Sequence, residues 1–385
     1  MEILALNVGS SSLKISLYRS YDEVPERLVK ITINGLNNSS IQLKTEVNSE
    51  CLLQPQVTTF PESTPLKQLL TLVWQQLTQA DLLPDRLVHR IVHGGEKYFQ
   101  AVKIDNQVFS DLTELSVLAP LHQPPALEVI RLFQGILPKD IDQYACFDTA
   151  FHQNMPSYKT IYALPESIRA QGIRRYGFHG LSYQHVYKQL CDKQPEQFNQ
   201  RVIIAHLGSG VSVCAIHQGQ SQDFSMGFSA LEGPVMSTRA GRLDAGIILK
   251  LLTDGYSANQ LEKMLFKDSG WSALSGIGAD INSLFEVDNE RCRLAIDHFI
   301  FQVVREIAAL LPALNGLDTL VFTGGIGENI PQIRDKICNK LKWFGVVVDQ
   351  DSNKTGQYDI AATNSKVQLK VIKCNEALSM VQQVT

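Results

Sequence analysis

Two segments of the chain show alternating apolar and polar positions on either side of a turn rich in small residues. The first is EILALNVGSSSLKISLYRS, where apolar stretches at 3–6 and 13–18 flank the cluster Asn7–Lys14. Alternation in the second stretch places every other side chain, starting from Leu13, on one face and Lys14 on the other. The pattern predicts a strand, a turn and a second strand.

The cluster itself is more polar than a hairpin turn requires. An ordinary hairpin turn needs about two to five residues with Gly or Asn among them. NVGSSSLK adds three serines and a lysine to that minimum. The segment is therefore either a solvated loop or a binding site for a charged group.

A similar hairpin is predicted at 201–217, which reads RVIIAHLGSGVSVCAIH. An apolar strand again leads through a Gly/Ser turn into an alternating strand. Asn7-x-Gly9 of the first hairpin aligns with His206-x-Gly208 of the second. The two hairpins are therefore predicted to be related.

A second repeat follows each hairpin. Helical periodicity at 66–80 leads into an apolar strand at 87–92, and the same pattern at 292–311 leads into a strand at 319–322. Each strand runs into a Gly-Gly pair. We interpret the repeat as two related domains from a duplication, with nucleotide and substrate in the cleft between them, where ligand sites commonly lie. The alternative is chance similarity between two glycine turns.

Length and charge restrict the class of protein. At 385 residues the chain fits two domains, since a domain has about 150 residues. A formal charge of −4 gives no footprint for nucleic acid or for an anionic membrane, so local cations must neutralise any bound phosphate. The charge therefore predicts neither a nucleic-acid partner nor a membrane partner, and the family resemblance described below implies small-molecule substrates.

Cysteine spacing and the N-terminus bear on the compartment. The seven cysteines lack CxxC or Cys/His metal spacing and predict buried thiols in a reducing compartment. The N-terminal MEILALN lacks the basic region of a signal peptide, and no apolar run approaches membrane-spanning length. These features predict a cytoplasmic protein.

Two familiar glycine-rich phosphate motifs are absent from the sequence. No GxxxxGK[ST] occurs, and Gly325–Ile330 does not fit GxGxxG at its last position. A tight Gly/Ser hairpin turn can instead bind an anion through its backbone N–H groups, completed by a lysine or a hydroxyl. Both predicted hairpins fit this kind of site, and a pair of them can hold a polyphosphate from two sides.

Four side chains are candidates for phosphoryl-transfer chemistry, which needs positioning and neutralisation of charge. Arg90 lies in an apolar strand, where burial without a partner is costly. Arg239 lies in a segment punctuated by glycine, Asp148 follows a short apolar strand, and His179 can donate to an oxyanion. The alternatives are a surface or salt-bridged arginine and a histidine packed against a backbone carbonyl.

The metal candidates are oxygen ligands, because no His/Cys cluster has zinc spacing. A nucleotide-bound Mg²⁺ needs only about one or two protein oxygens. Asn7, beside the first turn, and Glu376, at the start of a C-terminal helix that Asn375 is predicted to cap, are the candidates. A solvated carboxylate at a helix start is the alternative for Glu376. His122 lies among prolines, which we expect to stiffen its loop.

Nine short motifs in chain order carry a resemblance to a known family. They are NVGSSSLK at 7–14, HRIVHGGEKY at 89–98, LAPLHQP at 118–124, FDTAFH at 147–152, RRYGFHG at 174–180, AHLGSG at 205–210, TRAG at 238–241, FTGGIGEN at 322–329 and NEAL at 375–378. Together they resemble the acetate kinase family of the acetokinase group, within the actin, Hsp70 and sugar-kinase superfamily. The match runs over nearly the whole chain.

The resemblance implies an α/β fold of two duplicated actin/Hsp70-like, ribonuclease H-like domains, with mixed sheets and a nucleotide cleft between them. An N-terminal acyl kinase domain is expected at 1–147 plus 375–385, because the C-terminal helix returns to it. The nucleotide-binding and dimerisation domain is expected at 148–374. The implied activity is reversible, Mg²⁺-dependent phosphoryl transfer from ATP to acetate, with Mn²⁺ as a substitute metal, and a homodimer is implied.

The matched motifs also imply roles for individual residues. Those implied in catalysis are Arg90, Asp148, His179 and Arg239. Those implied in binding the acyl substrate are Arg90, Val92, Leu121, His122 and Phe178. Those implied in binding the nucleotide are Ser12, Lys14, His206, Leu207, Gly208, Ser209, Gly210, Asp280, Ile281, Asn282, Gly325, Ile326, Gly327, Glu328 and Asn329. Those implied as metal ligands are Asn7 and Glu376.

Five positions depart from the family pattern, and one of them is Ala126, where Asn is frequent after the HQP loop. Ser209 stands where Asn is common, Ala245 where Pro is common and Asn282 where Arg is common, and Ala230 stands where Pro is frequent. Asn282 puts selectivity for ATP in doubt, and Ala230 leaves room for propionate, since one methylene is worth only about 1–3 kcal/mol. The alternatives are a propionate or butyrate kinase, an ATP-binding switch of the same superfamily, and an inactive family member. A carboxylate-binding arginine argues against the switch.

Overall fold

The computed structural model describes residues 1–9, 11–21, 24–36, 40–48 and 53–385. The chain forms two compact units, Met1–Ala150 with Asn375–Thr385 and Phe151–Cys374. Asp148, predicted to begin the second domain, lies within the first unit. Ser10 of the predicted turn falls outside the described residues.

The first unit consists of strands and three helices before the chain enters the second. The strands are β1 (Glu2–Val8), β2 (Ser12–Arg19), β3 (Glu26–Asn34), β4 (Ser40–Val47), β5 (Gln56–Pro61), β6 (Arg86–Ile91), β7 (Val102–Lys103) and β8 (Asp142–Phe147). The helices found among its described residues are α1 (Leu66–Gln79), α2 (Asn106–Glu114) and α3 (Gln123–Gln134).

These strands form one mixed sheet in the order β5-β4-β3-β2-β1-β6-β8-β7. β1 pairs antiparallel with β2, and Asn7 lies opposite Lys14. β1 and β6 are parallel, as are β6 and β8. Parallel strands cannot be joined by a tight turn, and α1 lies in the connection that leads to β6.

The alternation predicted for the second strand holds in part. Leu13, Ile15 and Leu17 are fully buried and Lys14 is exposed, but Ser16 and Tyr18 on the opposite face are buried as well. α1 packs against the same core with one periodic face. The buried residues of α1 are Leu69, Leu70, Val73 and Leu77.

The second unit carries the second predicted hairpin. Its strands are β9 (Val202–Leu207), β10 (Val211–His217), β11 (Gln220–Phe224), β12 (Thr319–Thr323) and β13 (Gln368–Val371). Its helices are α4 (Ser157–Thr160), α5 (Glu166–Arg169), α6 (Gly180–Lys193), α7 (Ala245–Thr253), α8 (Ala258–Lys267), α9 (Gly270–Ser275), α10 (Ile281–Glu286), α11 (Glu290–Leu314), α12 (Gly324–Asn329), α13 (Pro331–Lys340) and α14 (Gln350–Thr355). The chain then returns to the first unit as α15 (Glu376–Val381).

The second sheet has the order β11-β10-β9-β12-β13. β10 is antiparallel to both β9 and β11, whereas β9, β12 and β13 are parallel. The same order and directions occur in the first sheet as β3-β2-β1-β6-β8. The predicted α/β class with two mixed sheets is confirmed, and the shared topology agrees with a duplication.

The two Gly-Gly pairs of the predicted repeat differ in local structure. Gly94 and Gly95 form a non-helical turn after β6, whereas Gly324 begins α12. Gly324 has a φ of 78°, and a Cβ there would lie 2.6 Å from the Leu207 carbonyl oxygen. Glycine is therefore required where α12 meets the end of β9.

The starts of two helices can be compared with the capping and proline signals in the sequence. Asn375 caps α15 as predicted, since its Oδ1 accepts a hydrogen bond from Leu378 N at 3.1 Å. The prolines around His122 were predicted to stiffen a loop; Pro120 lies in the turn before α3, but Pro124 and Pro125 lie in the first turn of the helix. Proline suits that position, because the first helical N–H groups have no partner within the helix.

Among the described residues, no helix combines the length and apolarity needed to cross a membrane. The described cysteines carry free thiols, and Cys51 lies outside the described residues. The buried cysteines are Cys146, Cys214, Cys292 and Cys338, and the half-buried ones are Cys191 and Cys374.

Candidate active site

Four polar side chains of the first unit lie together near the carboxyl ends of β1, β6 and β8. Asn7 is near the end of β1, Arg90 is near the end of β6, and Asp148 directly follows β8. Glu376 begins α15, which packs on β1. Parallel strands bring their carboxyl ends to one edge of a sheet, and this places the three strand residues together. We call these four residues the Arg90 cluster.

Arg90 makes most of the contacts within the cluster. Its Nε lies 3.1 Å from both carboxylate oxygens of Asp148, and its Nη2 lies 2.5 Å from Oδ2. Its Nη1 donates to Asn7 Oδ1 at 3.1 Å and lies 3.9 Å from Glu376 Oε2. Asn7 Nδ2 donates to the same Glu376 oxygen at 2.7 Å. The guanidinium is therefore held in one orientation.

The charges of the cluster are largely removed from solvent. The Asp148 side chain is 1% exposed, and those of Arg90 and Glu376 are 16% and 15% exposed. Burial raises the pKa of Asp148, Arg90 opposes that shift through its charge and hydrogen bonds, and Glu376 adds to it. Asp148 is the partner that burial of Arg90 required.

The side chains predicted to bind the acyl substrate in the first unit lie on two adjoining loops. Val92 is buried just beyond β6, and Leu121 and His122 are half-buried just before α3. Gln123 joins the loops, because its Oε1 accepts from His93 N at 3.2 Å and its Nε2 donates to His93 O at 3.1 Å. Gln123 was not predicted, and its only sequence signal is its place beside His122.

The first predicted phosphate turn follows β1. Gly9 N donates to Ser12 O at 2.7 Å, which closes the turn. Ser12 is half-buried and Lys14 is exposed. Because Lys14 pairs with Asn7 across the hairpin, the turn presents polar groups next to the Arg90 cluster.

The matching turn of the second unit lies between β9 and β10. Gly208 N donates to Gly210 O at 3.0 Å. Ser209 is exposed, and its carbonyl accepts from Ser237 N at 3.3 Å and from Ser237 Oγ at 3.1 Å. Ser237 ties the turn to the segment that carries Arg239.

Two histidines stack beside this second turn. The rings of His179 and His206 have centroids 4.3 Å apart at an interplanar angle of 24°. His179 Nδ1 lies 2.7 Å from Ser212 Oγ, and His206 Nδ1 lies 2.8 Å from Ser182 Oγ. The Nδ1 partner of His179 is thus a serine hydroxyl, whereas the sequence alternative was a backbone carbonyl.

Arg239 lies in the irregular segment before α7. Its Nη1 donates to the Ala230 carbonyl oxygen at 3.1 Å, and its Cζ lies 5.9 Å from the centre of the Phe266 ring. Its own carbonyl oxygen accepts from Met236 N at 3.1 Å. Ala230, one of the departures from the family pattern, is therefore a direct neighbour of the predicted catalytic arginine.

α12 carries the last segment that was predicted to bind nucleotide. Gly325 and Asn329 are exposed on it. The Glu328 side chain is instead bound to the protein backbone. Its Oε1 accepts from Gly324 N at 3.0 Å and from Cys374 N at 2.9 Å. The Glu328 carboxylate thus fixes the N-terminus of α12 to the segment that follows β13.

Arg334 of α13 supports α12 from the core and was not predicted. Its side chain is buried, and its Nη1 donates to the carbonyl oxygens of Gly327 and Glu328 at 2.8 and 2.9 Å. Its Nε and Nη2 donate to Asn353 Oδ1 and O, each at 2.7 Å. No sequence signal pointed to it, because an arginine in a polar helix is usually on the surface.

Three residues predicted to bind nucleotide turn their side chains into the core. Leu207, Ile281 and Ile326 are 0%, 3% and 7% exposed. Only their backbone atoms remain to face a ligand. By contrast, Asp280 and Asn282 are exposed, and Asp280 caps α10 by accepting from Asn282 N at 3.0 Å.

His152 of the FDTAFH motif is a further residue that the sequence analysis did not assign. Its Nε2 lies 3.1 Å from the Phe178 carbonyl oxygen, so this nitrogen donates, and its Nδ1 lies 2.8 Å from Ser221 Oγ. Burial lowers the pKa of His152 to about 4. A Cβ on Gly177 would lie 2.5 Å from the ring. His152 therefore fixes the backbone that presents Phe178 and His179.

The sequence model described as the Acetokinase family matches residues 2–382 of the chain. The chain belongs to the acetokinase family. The acetate kinase of Rickettsia prowazekii (strain Madrid E) is 37% identical over 387 residues, which cover 99% of this chain and 98% of that protein.

Solved structures of this family have the same fold. A propionate kinase from Francisella tularensis subsp. tularensis SCHU S4 is 34% identical, with a TM-score of 0.92 over 99% of this chain and 98% of that one. The acetate kinase of Porphyromonas gingivalis is 30% identical, with a TM-score of 0.86 over 99% and 98%. The resemblance found in the nine motifs is confirmed, as is the prediction that the chain is a kinase, and kinases of this family use ATP as a co-substrate.

Proposed function

We propose that this acetokinase transfers the γ-phosphoryl group of ATP reversibly to the carboxylate of acetate, giving ADP and acetyl phosphate. The observation that carries the proposal is the Arg90 cluster, in which a guanidinium is held at the carboxyl ends of parallel strands by Asp148 and Asn7. A carboxylate is already a nucleophile, so the reaction needs positioning and charge stabilisation and no strong base.

In this proposal the first unit, Met1–Ala150 with Asn375–Thr385, binds the acyl substrate. Arg90 binds the substrate carboxylate, and Asp148 orients the guanidinium. Val92 and Leu121 bind the methyl group, and His122 is a polar neighbour. Support comes from the adjoining loops of the first unit, where Gln123 holds the Val92 and His122 segments together.

The second unit binds ATP. The turn at 206–210 and the exposed polar groups of α10 and α12 contact the nucleotide. Arg239 and His179 stabilise the charge that develops on the transferring phosphoryl group. The hydrogen bonds from Ser237 to Ser209, which tie the second turn to the Arg239 segment, support this assignment.

Asn7 and Glu376 would hold the metal ion of the nucleotide, Mg²⁺ or Mn²⁺. They fit the group, because an amide oxygen and a carboxylate are hard oxygen donors and the two side chains are neighbours, with Asn7 Nδ2 2.7 Å from Glu376 Oε2. When bound, the ion neutralises phosphate charge.

Propionate is the second candidate substrate. The propionate kinase from Francisella tularensis supports it, since that protein is 34% identical over 99% of this chain. The small side chain of Ala230, whose carbonyl oxygen accepts from Arg239, supports it as well. One methylene changes binding in an apolar pocket by only about 1–3 kcal/mol, so discrimination between the two acids is modest.

We also propose a homodimer that uses α7. None of its nine residues is buried, although the helix reads AGIILKLLT. Ile247, Leu249 and Leu252 are 43%, 65% and 46% exposed, and Leu243 and Tyr256 continue the surface. A second copy of the chain would cover this apolar surface.

The free thiols of the described cysteines favour a reducing compartment, and we propose the cytoplasm.

One assay tests the reaction. The protein is incubated with Mg-ATP and acetate, propionate or butyrate in turn, the acyl phosphate is trapped with hydroxylamine, and the rates are compared. We expect hydroxamate with acetate, less with propionate, and none after removal of divalent metal with EDTA. Arg239→Ala is the matched inactive control. ATP hydrolysis that is independent of any carboxylate, with no hydroxamate from any acid, would contradict the proposal and favour an ATP-binding switch.

A further inference from the structure

Two buried hydroxyl groups form a chain of hydrogen bonds that ends on His179. Tyr183 of α6 and Ser212 of β10 are 0% and 1% exposed. The Tyr183 hydroxyl is hydrogen-bonded to Ser212 Oγ, and Ser212 Oγ lies 2.7 Å from His179 Nδ1. His179 is the histidine proposed to contact the transferring phosphoryl group.

The direction of each hydrogen bond follows from the number of hydrogens available. Tyr183 has one hydroxyl hydrogen, and among the described residues Ser212 is the hydrogen-bond partner of that hydroxyl. The hydrogen of Tyr183 therefore points to Ser212 Oγ, and burial raises the pKa of Tyr183 well above its usual range, so the phenol keeps this hydrogen. Ser212 accepts it and directs its own hydrogen to His179 Nδ1.

A ring nitrogen that accepts a hydrogen bond carries no proton, so the proton of a neutral His179 resides on Nε2. The opposite direction would have Nδ1 donate to Ser212 and Ser212 donate to Tyr183, which leaves the Tyr183 hydrogen buried without an acceptor among the described residues. A positively charged ring would also donate from Nδ1 to Ser212 Oγ. If Ser212 then accepts from both neighbours, its own hydroxyl hydrogen has no acceptor among the described residues. Both arrangements incur the desolvation penalty of an unpaired hydroxyl.

The Nε2 side of the ring faces the second phosphate turn. A Cβ built on Gly210 would lie 3.2 Å from His179 Nε2, so the nitrogen closely approaches the backbone of that turn. The His206 ring stacks on the His179 ring, with the two ring centroids 4.3 Å apart. A positive charge on either ring therefore disfavours a positive charge on the other. His179 itself has a left-handed backbone, with φ 58° and ψ 23°, which requires support from its surroundings.

We propose that Tyr183 and Ser212 are positioning residues that hold His179 as the neutral tautomer with its proton on Nε2. In this form His179 donates one hydrogen bond to a phosphoryl oxygen and transfers no proton. The inference rests on the proposed function for the contact with the phosphoryl group, whereas the tautomer itself is a property of the protein without substrate.

The test combines nitrogen NMR with kinetics. Protein labelled with ¹⁵N in histidine is examined at neutral pH without substrate, and the two ring nitrogens of His179 are assigned by comparison with His179→Gln. We expect the chemical-shift pattern of a neutral ring protonated at Nε2. In Tyr183→Phe, Ser212 is free to accept from Nδ1, so we expect a mixture of tautomers and charged ring.

Tyr183→Phe should also lower kcat while leaving the KM for ATP within about twofold of the wild-type value. Losing an oxyanion donor outright costs roughly 100- to 1,000-fold, and a mixture of tautomers retains part of that contact, so we expect a fall of about tenfold. Ser212→Ala should change the NMR pattern as well, and it provides a second variant if Tyr183→Phe folds poorly. Tyr187→Phe is the matched control, because it removes another buried hydroxyl from the same helix, bonded to Phe198 O and Gly219 N.

A wild-type ring that is protonated at Nδ1, or that is charged, would overturn the inference. So would a Tyr183→Phe variant that loses the tautomer and keeps its kcat, or a Tyr187→Phe control with the same effects. If the wild-type protein forms no acyl phosphate with any acid, the proposed function fails and the positioning role fails with it. The NMR result for the tautomer stands separately from that outcome.

Discussion

Each unit of the protein holds an arginine away from solvent, and the two arginines are satisfied by different kinds of partner. Arg90 of the first unit forms an ion pair with Asp148, whose carboxylate is 1% exposed. Arg334 of the second unit is 1% exposed, and its hydrogen bonds go to the neutral oxygens of Gly327, Glu328 and Asn353. The first arrangement depends on charge balance and the second on hydrogen-bond count.

The difference between charged and neutral partners agrees with the roles proposed for Arg90 and Arg334. Arg90 lies at the ends of strands, where a substrate carboxylate is proposed to bind, so a charge must stay available there. Arg334 lies beneath α12 and holds the backbone carbonyls of a helix proposed to contact the nucleotide. A guanidinium held away from solvent is thus proposed to bind substrate in the first unit, whereas in the second unit it supports a helix.

The largest expected effect is that of Arg90→Ala. It should lower turnover by about 1,000-fold or more, as loss of a charge-stabilising arginine does in phosphoryl transfer. It should also lower the free energy of unfolding by about 3–5 kcal/mol, because the buried carboxylate of Asp148 loses its partner. Hydroxamate rates and urea unfolding measure the two effects.

The double variant Arg90→Ala/Asp148→Asn separates the two effects. A buried neutral amide costs less than an uncompensated carboxylate, so the second substitution should recover most of the stability and none of the activity. If the double variant is as unstable as Arg90→Ala, the ion pair is not the source of the loss. If Arg90→Ala is active, the assignment of the acyl site is wrong.

The sequence predicted the local elements around these arginines because their signals are local. Short apolar stretches predicted the strands at 3–6 and 87–92, and a cap signal predicted the start of α15 at Glu376. Asn7, predicted in the turn, lies on β1. Burial of Arg90 demanded a partner, but periodicity does not reveal which of several acids meets it. The partner is set by the parallel pairing of β6 and β8, which brings Asp148 beside Arg90.

The residues that hold the candidate site in place could not be predicted from the sequence, for a different reason. Arg334, Gln123 and His152 act through backbone carbonyls on other segments, and no spacing rule links them to those carbonyls. Burial also decides which part of a motif residue is available, as for Ile281, whose side chain lies in the core. The proline signal for the start of α3 was present at Pro124, but it was interpreted as a loop signal.

The second prediction concerns Arg334→Met, which keeps the side-chain volume and removes the donors. The carbonyls of Gly327 and Glu328 would lose a buried partner, and an unsatisfied buried acceptor costs about 1–3 kcal/mol. We expect a loss of stability in that range and a higher KM for ATP with little change in kcat. Lys340→Met, an exposed site on the same helix, is the control and should stay within about 0.5 kcal/mol of the wild type. Equal KM values for ATP in both variants would contradict a supporting role for Arg334.

Acid should change the contributions of His152 and Asp148 to the free energy of unfolding in opposite directions. Burial lowers the pKa of His152 from 6.5 to about 4, so between these values the unfolded chain binds a proton that the folded chain does not. Stability therefore falls as pH falls, by up to about 1.4 kcal/mol per pH unit. Burial raises the pKa of Asp148, so the folded chain binds this proton first and acidification relieves part of the burial cost.

Two variants test this difference through the slope of the unfolding free energy between pH 6.5 and pH 4. His152→Gln should flatten the loss of stability on the acid side, because the group that resists protonation is gone. Asp148→Asn should steepen it, because the opposing contribution is gone. Urea unfolding at intervals across this range gives the slopes, and a shift in the same direction for both variants would contradict the assignment.

The smallest expected effect is on substrate choice at Ala230, next to Arg239 in the second unit. Ala230→Pro adds volume and keeps the carbonyl oxygen to which Arg239 donates at 3.1 Å. We expect the ratio of kcat/KM for acetate to that for propionate to rise about tenfold, about 1.4 kcal/mol, which is within the usual worth of one methylene. Ala245→Pro, at the first position of α7 where proline is tolerated, is the control and should leave the ratio unchanged. An unchanged ratio in Ala230→Pro would place the acyl pocket away from Arg239.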